Sequence, residues 1–296
     1  MSISRPAELI DWAVRRLIVN ADDFGLTRGV NRAVLELHRC GLLSSATMMA
    51  NAPATNDGVA LALQTPSLGV GCHVVLVDGV PQLPTGKLPG LSDHKAGNFH
   101  RKLGSFLGQL FAGRIQPAEI EAEVAAQISH LQSSGLRLTH VDTHKHTHMF
   151  PAVLRPLLRA ARAAGILAVR NPFEPAWSRK LTTGAPIVRR TEVNLLRLLE
   201  PGFRRIVAEE GFFTTDGAIG VLATGTLDEP TVRSLLRNLP RGTWELVTHP
   251  GYNDEELDAV ETRLKASRQA ETIALKAIGE EKDLELISFA GLPCDV

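Results

Sequence analysis

Apolar and polar positions along this chain switch between two periods. Short runs rich in β-branched and aliphatic residues read as strands: RRLIVNADDFG (15–25), SSATMMAN (44–51), LGVGCHVVLVDG (68–79), LRLTHVDTH (136–144), ILAVRNPF (166–173), TWELVTHPGY (243–252) and LELISF (284–289). Between them, helical spacing predicts helices over 29–41, 56–64, 117–135, 151–165 and, as one long helix, 255–278. Glycine closes the first of these, and Pro151 suits the first turn of the fourth. The pattern is weaker over 180–240, where it predicts a helix near 191–210, a strand near 217–223 and a helix near 228–238. A long Pro- and Gly-rich loop occupies 80–100. Repeated βα units over 296 residues, with no repeat period and no linker, predict an α/β fold with a parallel sheet, closed or open.

Composition removes whole classes of function. Lys+Arg and Asp+Glu balance at 32 each, so no basic footprint for nucleic acid is present, and with 5% aromatic residues base-stacking platforms are scarce. No run of about 20 apolar residues occurs, so no transmembrane segment is expected. The first residues, MSISRPAELIDWAVRR, carry charges throughout and lack the apolar core of a signal peptide. Three cysteines at wide spacing, Cys40, Cys72 and Cys294, make neither a disulfide framework nor a zinc-finger pattern. The expectation is a cytoplasmic protein.

Candidate chemistry lies at strand ends. NADDFG, GCH, HVDTHKHTH, VRN and VTHPG each fall in or after a predicted strand, the edge where βα barrels gather their catalytic groups. His140, Asp142, His144, His146 and His148 alternate, so one extended strand would present four imidazoles and a carboxylate on one face. Such a row spans roughly 26 Å, too far for one ion with ligands at about 2 Å, so at most two neighbours share a metal. His148 reads equally as a solvated loop residue. Asp22 and Asp23 diverge unless the chain turns, and Phe24-Gly25 implies that it does. One acid could hold an ion and the other take a proton from its water; the alternative, capping the next helix, suits Thr27 better. His73 is a ligand candidate beside a buried, inert Cys72. His249, before a Pro-Gly turn, is a general acid or a turn cap, and Arg170 orients a carboxylate or pairs at a barrel rim. Two histidines and a carboxylate with open positions are equipment for metal-assisted hydrolysis; iron oxygenases use the same set, and metal storage is a third reading.

LIVNADDFGLTRGVN, LGVGCHVVLVDG, HVDTHKHTHMFP, VTHPGY and SRQAE (267–271) resemble the YdjC-like carbohydrate deacetylases, a family that includes chitooligosaccharide deacetylases and the hopanoid-associated deacetylase. The likeness covers nearly the whole chain and is weakest over 180–240. It implies a deformed (β/α) TIM-like barrel in a single domain, 1–296, and one divalent metal ion, zinc or magnesium. It implies removal of an acetyl group from an N-acetylated amino sugar, as an oligosaccharide or a glycolipid headgroup, and a homodimer. By position, Asp23, His73 and His144 match metal ligands, Asp22 the catalytic base and His249 its acid partner. Asp142 and His146 would flank His144 on one face, with His140 deeper, and Arg170 would support the site or the substrate. Loop 80–100 and RNPFEPAW (170–177) would shape the cleft, Phe173 and Trp177 either stacking on sugar or packing. GSFLGQLFAG (104–113) reads as a core helix or as a greasy lip for a lipid-linked sugar.

Overall fold

In a computed structural model, described for residues 14–93, 96–281 and 283–292, a curled parallel sheet forms the centre. Its strands are β1 (Arg15–Phe24), β2 (Ser45–Met48), β3 (Gly69–Val74), β6 (Leu138–Thr143), β7 (Gly217–Ile219), β8 (Gly242–Thr248) and β9 (Glu285–Leu286), while β4 (Ser92–Asp93) and β5 (Asn98–Phe99) form a separate antiparallel pair. The order is β6-β3-β2-β1-β8-β7, with β9 beside the start of β1. Residues 1–13, where a leader was not expected, and Cys294 lie outside the described residues.

Past β6 the ring continues through single parallel bridges, Val141 to Val169 and Ala168 to Phe213. The segment holding Phe213 then runs into β7, which pairs with β8, so the sheet curls round into a deformed (β/α) TIM-like barrel. The predicted strand 166–173 reaches only these bridges. Asn171 is followed by Pro172, which has no N–H for a ladder, and Pro175 repeats the break.

Helices cover the outside: α1 (Arg28–Arg39), α2 (Thr55–Leu63), α3 (Leu103–Phe111), α4 (Pro117–Ser133), α5 (Pro151–Ala163), α6 (Ala176–Leu181), α7 (Ile187–Leu196), α8 (Glu200–Glu209), α9 (Glu229–Arg237), α10 (Glu255–Ala259) and α11 (Lys265–Ala274). Thr27 caps α1 through Val30 N, as its position predicted. Helices lie against the sheet's outer face, and β2 and β3 are buried at every position, the polar side chains of Ser45, Thr47 and His73 included. One dominant core runs from Leu17 and Val19 of β1 through Leu35, Val124, Leu157 and Leu246.

Two expected elements differ. The single helix over 255–278 is broken. Val260 leaves the helical region, Thr262 Oγ1 accepts from Leu264 N at 3.2 Å, and α11 starts afresh. In the weakly patterned 180–240, the first predicted helix starts earlier, at Ile187, and is divided into α7 and α8 by a short 3-10 turn over Arg197–Leu199, and the strand is shorter, at Gly217–Ile219.

Candidate active site at the strand ends

The adjacent carboxylates at the end of β1 do different work because the chain bends between them. Asp23 has a left-handed backbone (φ 63°), and the pairing with β2 slips between Ala21 and Phe24. Asp23 Oδ1 then lies 3.5 Å from His73 Nε2 and 3.5 Å from His144 Nδ1, and the two imidazole nitrogens are 3.4 Å apart. Asp23 Oδ1 is buried with no hydrogen-bond partner. Four ligands arranged tetrahedrally at ~2.0–2.1 Å from an ion stand ~3.4 Å from one another. The triangle has that edge, and its donor set suits a divalent transition ion, so these three residues could hold one, with a side left open for solvent or substrate.

Behind the triangle, Arg170 is the hub. Its guanidinium is fully buried and holds Asp22 bidentately (2.6 and 2.8 Å), reaches Glu245 Oε1 at 2.7–2.8 Å and also contacts Asp142. Asp142 in turn holds His73 Nδ1 at 2.8 Å, which fixes the imidazole with Nε2 toward Asp23. Burial alone would raise the Asp22 carboxyl, but Arg170, then His73 and His249, hold it well below the usual carboxylate range. Burial pushes Glu245 up to about 7 against the pull of Arg170, with Asp22 and Asp142 adding to the rise. Burial would lower His73, yet Asp142, Asp22 and Asp23 carry it up to about 9. A positive charge is therefore favoured where His73 meets Asp23.

The third part comes from β8 and α11. His249 Nε2 lies 3.8 Å from Asp22 Oδ2, and Glu271 Oε2 accepts from His249 N at 2.6 Å and lies 3.7 Å from its Nδ1. Burial opposes protonation of His249, but Glu271, with Asp22 and Asp23, raises its pKa. One turn earlier on the same helix, Arg268 Nη2 donates to Asp23 Oδ2 at 2.5 Å. In this cluster five carboxylates (Asp22, Asp23, Asp142, Glu245, Glu271) face two guanidinium groups and the imidazoles of His73 and His249.

The structure brings together Asp22, Asp23, His73, Asp142, His144, Arg170 and His249, all expected from the sequence. It does not keep the histidine row on one face. The strand ends at Thr143, and Lys145 (φ 57°) and His146 (φ 52°) turn left-handed, so the row fans out. His140 stacks on Phe289 in the core, with Gly71 leaving room for its ring. Asp142 backs His73 rather than flanking His144. His146 lines the cleft, half-buried, instead of sharing the face of His144. His148 is no solvated residue: it is fully buried, with Nδ1 2.7 Å from Thr143 Oγ1 and Nε2 3.2 Å from the Arg170 carbonyl. Trp177 packs edge-on against Trp244, and Phe173 against Phe203, so packing accounts for both rings. Glu245, Arg268 and Glu271 had no assigned role. A carboxylate inside an otherwise apolar strand, and Arg and Glu three apart in SRQAE, are the signals that point to them.

The site opens into a cleft of about 500 Å³. Among the described residues loop 80–100 contributes nothing to its lining; the break at Val260–Leu264, with Asp78 and Leu103, forms the rim instead. Lys145 Nζ bonds Asp78 Oδ2 at 2.6 Å across that rim, and both residues have left-handed backbones. Beside the cleft runs an apolar groove of about 280 Å³, sharing Leu103, Lys145, His146, Arg189 and Glu192 with it. Leu107 of α3, Met149, Phe150 and Phe173, and Val193 and Leu196 of α7 line the rest. In the segment 104–113, Phe106 and Leu110 enter the core, as expected of a core helix, while Leu107 faces the groove.

Known proteins match this chain along most of its length. It is 33% identical to a carbohydrate deacetylase of Brevibacillus brevis over 94% of this chain and 99% of that one. It is 38% identical to a chitooligosaccharide deacetylase of Serratia marcescens over 57% of this chain and 64% of the other. A crystal structure described as a cellobiose-phosphate cleavage protein of Enterococcus faecalis superposes with a TM-score of 0.72 at 24% identity, covering 93% of this chain and 98% of that one, and shares the fold. The YdjC-like protein model matches residues 16–284, a span holding every side chain of the cluster above, and the chain belongs to that family.

Proposed function

We propose that this protein is a metal-dependent carbohydrate deacetylase, hydrolysing the N-acetyl group of an amino sugar to acetate and free amine. The observation that carries the reading is the meeting of Asp23, His73 and His144 at 3.4–3.5 Å with a carboxylate and an imidazole, Asp22 and His249, poised beside them. The names of the relatives support the substrate class.

An ion held by Asp23, His73 and His144 would supply Lewis acidity for the amide carbonyl and a water acidic enough for a weak base to deprotonate. The protein's own groups do the rest. Asp22 stays ionised, and its two bonds from Arg170 aim it while limiting its basicity. It takes a proton from the attacking water as the new C–O bond forms. His249, whose protonated form Glu271 favours and which lies toward Asp22, gives a proton to the departing nitrogen as the C–N bond breaks. The two environments push the pKa values of Asp22 and His249 apart, as an acid–base pair requires.

Two imidazoles favour zinc or a similar transition ion over magnesium. The apolar groove joined to the cleft favours a sugar carried on a lipid over a free oligosaccharide. The test is acetate release and loss of one acetyl by mass spectrometry from N-acetylglucosamine oligosaccharides and N-acetylglucosaminyl lipids, with protein loaded in turn with zinc and magnesium. Acetate from either substrate supports the deacetylase reading. No release from any N-acetylated sugar with either metal would overturn it.

A further inference from the structure

Helix α7 is apolar on two faces. One face packs inward through Val193 and Leu196. The other carries Ile187, Val188 and Leu195, exposed by 82, 71 and 65%, and Leu198 in the 3-10 turn that follows is 76% exposed. At 100° per residue the three on α7 fall within an arc of about 100°, an apolar stripe facing solvent that Thr191 interrupts and Leu198 extends past the helix end. The opposite wall of the groove ends in Phe111, 71% exposed, its ring edge against Phe150 of the groove lining. Of the nine large exposed apolar side chains among the described residues, five thus lie on α7, the turn after it and the end of α3, and both helices also line the groove. A stripe of this kind on a folded protein marks a contact surface.

Its charge says which kind. Residues 176–209 carry seven basic side chains, Arg179, Lys180, Arg189, Arg190, Arg197, Arg204 and Arg205, and three acidic ones, in a chain whose net charge is zero. A two-fold contact between copies would set this basic segment against itself. An anionic bilayer complements it: apolar side chains enter the headgroup boundary while arginines remain among the phosphates.

We propose that the α7 stripe and Phe111 dock this protein onto an anionic membrane surface. The groove mouth then faces the bilayer, so the apolar part of a lipid-linked sugar lies in the groove while its N-acetyl group reaches Asp22 and His249. The substrate half of this statement rests on the deacetylase reading above; the docking half does not.

The test is co-sedimentation of the full chain with vesicles of phosphatidylcholine alone and of phosphatidylcholine mixed with phosphatidylglycerol. The mixed vesicles are expected to bind it, less so as salt rises. A variant combining Ile187→Ser, Val188→Ser and Leu198→Ser is expected to lose roughly tenfold or more in vesicle affinity, while its thermal midpoint and its turnover of a soluble N-acetylated oligosaccharide are unchanged. Absence of binding to mixed vesicles, or equal binding by the triple variant, overturns the proposal. So does light scattering that shows a dimer dissociating in the triple variant, which would give the stripe to a second copy. Vesicle binding is read without turnover, so a failure of docking and a failure of the deacetylase reading are separate results.

Discussion

At the floor of the cleft each charged side chain is held by others. Arg170 alone spans Asp22, Asp142 and Glu245, and Asp142 passes the constraint on to His73. Along the outer face of α7 no such restraint exists: three aliphatic side chains of the helix, and Leu198 of the turn after it, stand in solvent on a segment anchored by its inner face. The floor is a network in which moving one member disturbs all, the condition for presenting reactive groups at fixed separations. The stripe is a set of independent side chains, the condition for a contact that does not depend on one geometry. Substitutions should therefore couple strongly in the first region and add simply in the second.

The largest effect is expected at the hub. Arg170→Met leaves three buried carboxylates facing one another, and should cost about 3–5 kcal/mol of stability, read as a lowered denaturant midpoint, together with all activity. Survival of a normally stable Arg170→Met protein would show that the network is far looser than its distances imply. Next, Asp22→Asn should lower turnover by about 10²–10⁴-fold with metal still bound, whereas His144→Ala should lose the metal itself, measured by elemental analysis. Equal metal loss in both would erase the distinction between base and ligand.

A smaller effect concerns pH. Burial holds His140 down to about 3 and His148 down to about 4, the neighbouring Arg170 adding to the fall. Both rings are neutral in the fold but take up protons near 6.5 when unfolded, so their contribution is complete above that pH and is lost as pH falls toward 4. Each should account for about 2 kcal/mol of stability lost between pH 7 and pH 5. The raised pKa values of His73 and His249 act in the opposite sense, so the comparison to make is wild type against His148→Leu, whose pH slope should be shallower. Identical slopes would mean that His148 is not held neutral. Smallest of all, Leu198→Ser on the stripe should change stability by less than about 0.5 kcal/mol. A loss of several kcal/mol would mean that the stripe is part of the core.

The difference between the regions also governs what could be read from the sequence. Strand ends were legible because each is a β-branched run closing on Asp, His or Arg, and the convergence of NADDFG, GCH, HVDTH, VRN and VTHPG follows from parallel βα order alone. The turn at Lys145-His146 was not, since a left-handed backbone at non-glycine residues leaves no mark in an apolar–polar pattern. Arg170 was legible as a charge but not as a hub, because one arginine after an apolar run looks the same at a rim or in the interior. Helix 255–278 has an unbroken pattern, yet it breaks where Val260 turns extended and the Thr262 hydroxyl accepts from Leu264 N. The stripe on α7 stayed hidden for the opposite reason: a helix apolar on both faces has no clear phase.

Helix α11 carries Arg268 and Glu271 one turn apart, and so steers two halves of the chemistry with a single rigid body: Asp23 through one side chain, His249 through the other. The chain that enters this helix, Val260–Leu264, is itself the rim of the cleft. A ligand seated on that rim would touch the segment that leads straight into the helix bonded to Asp23 and His249. Doorway and floor thus share one continuous stretch of chain, so substitutions at Val260–Leu264 are expected to register in turnover as well as in affinity.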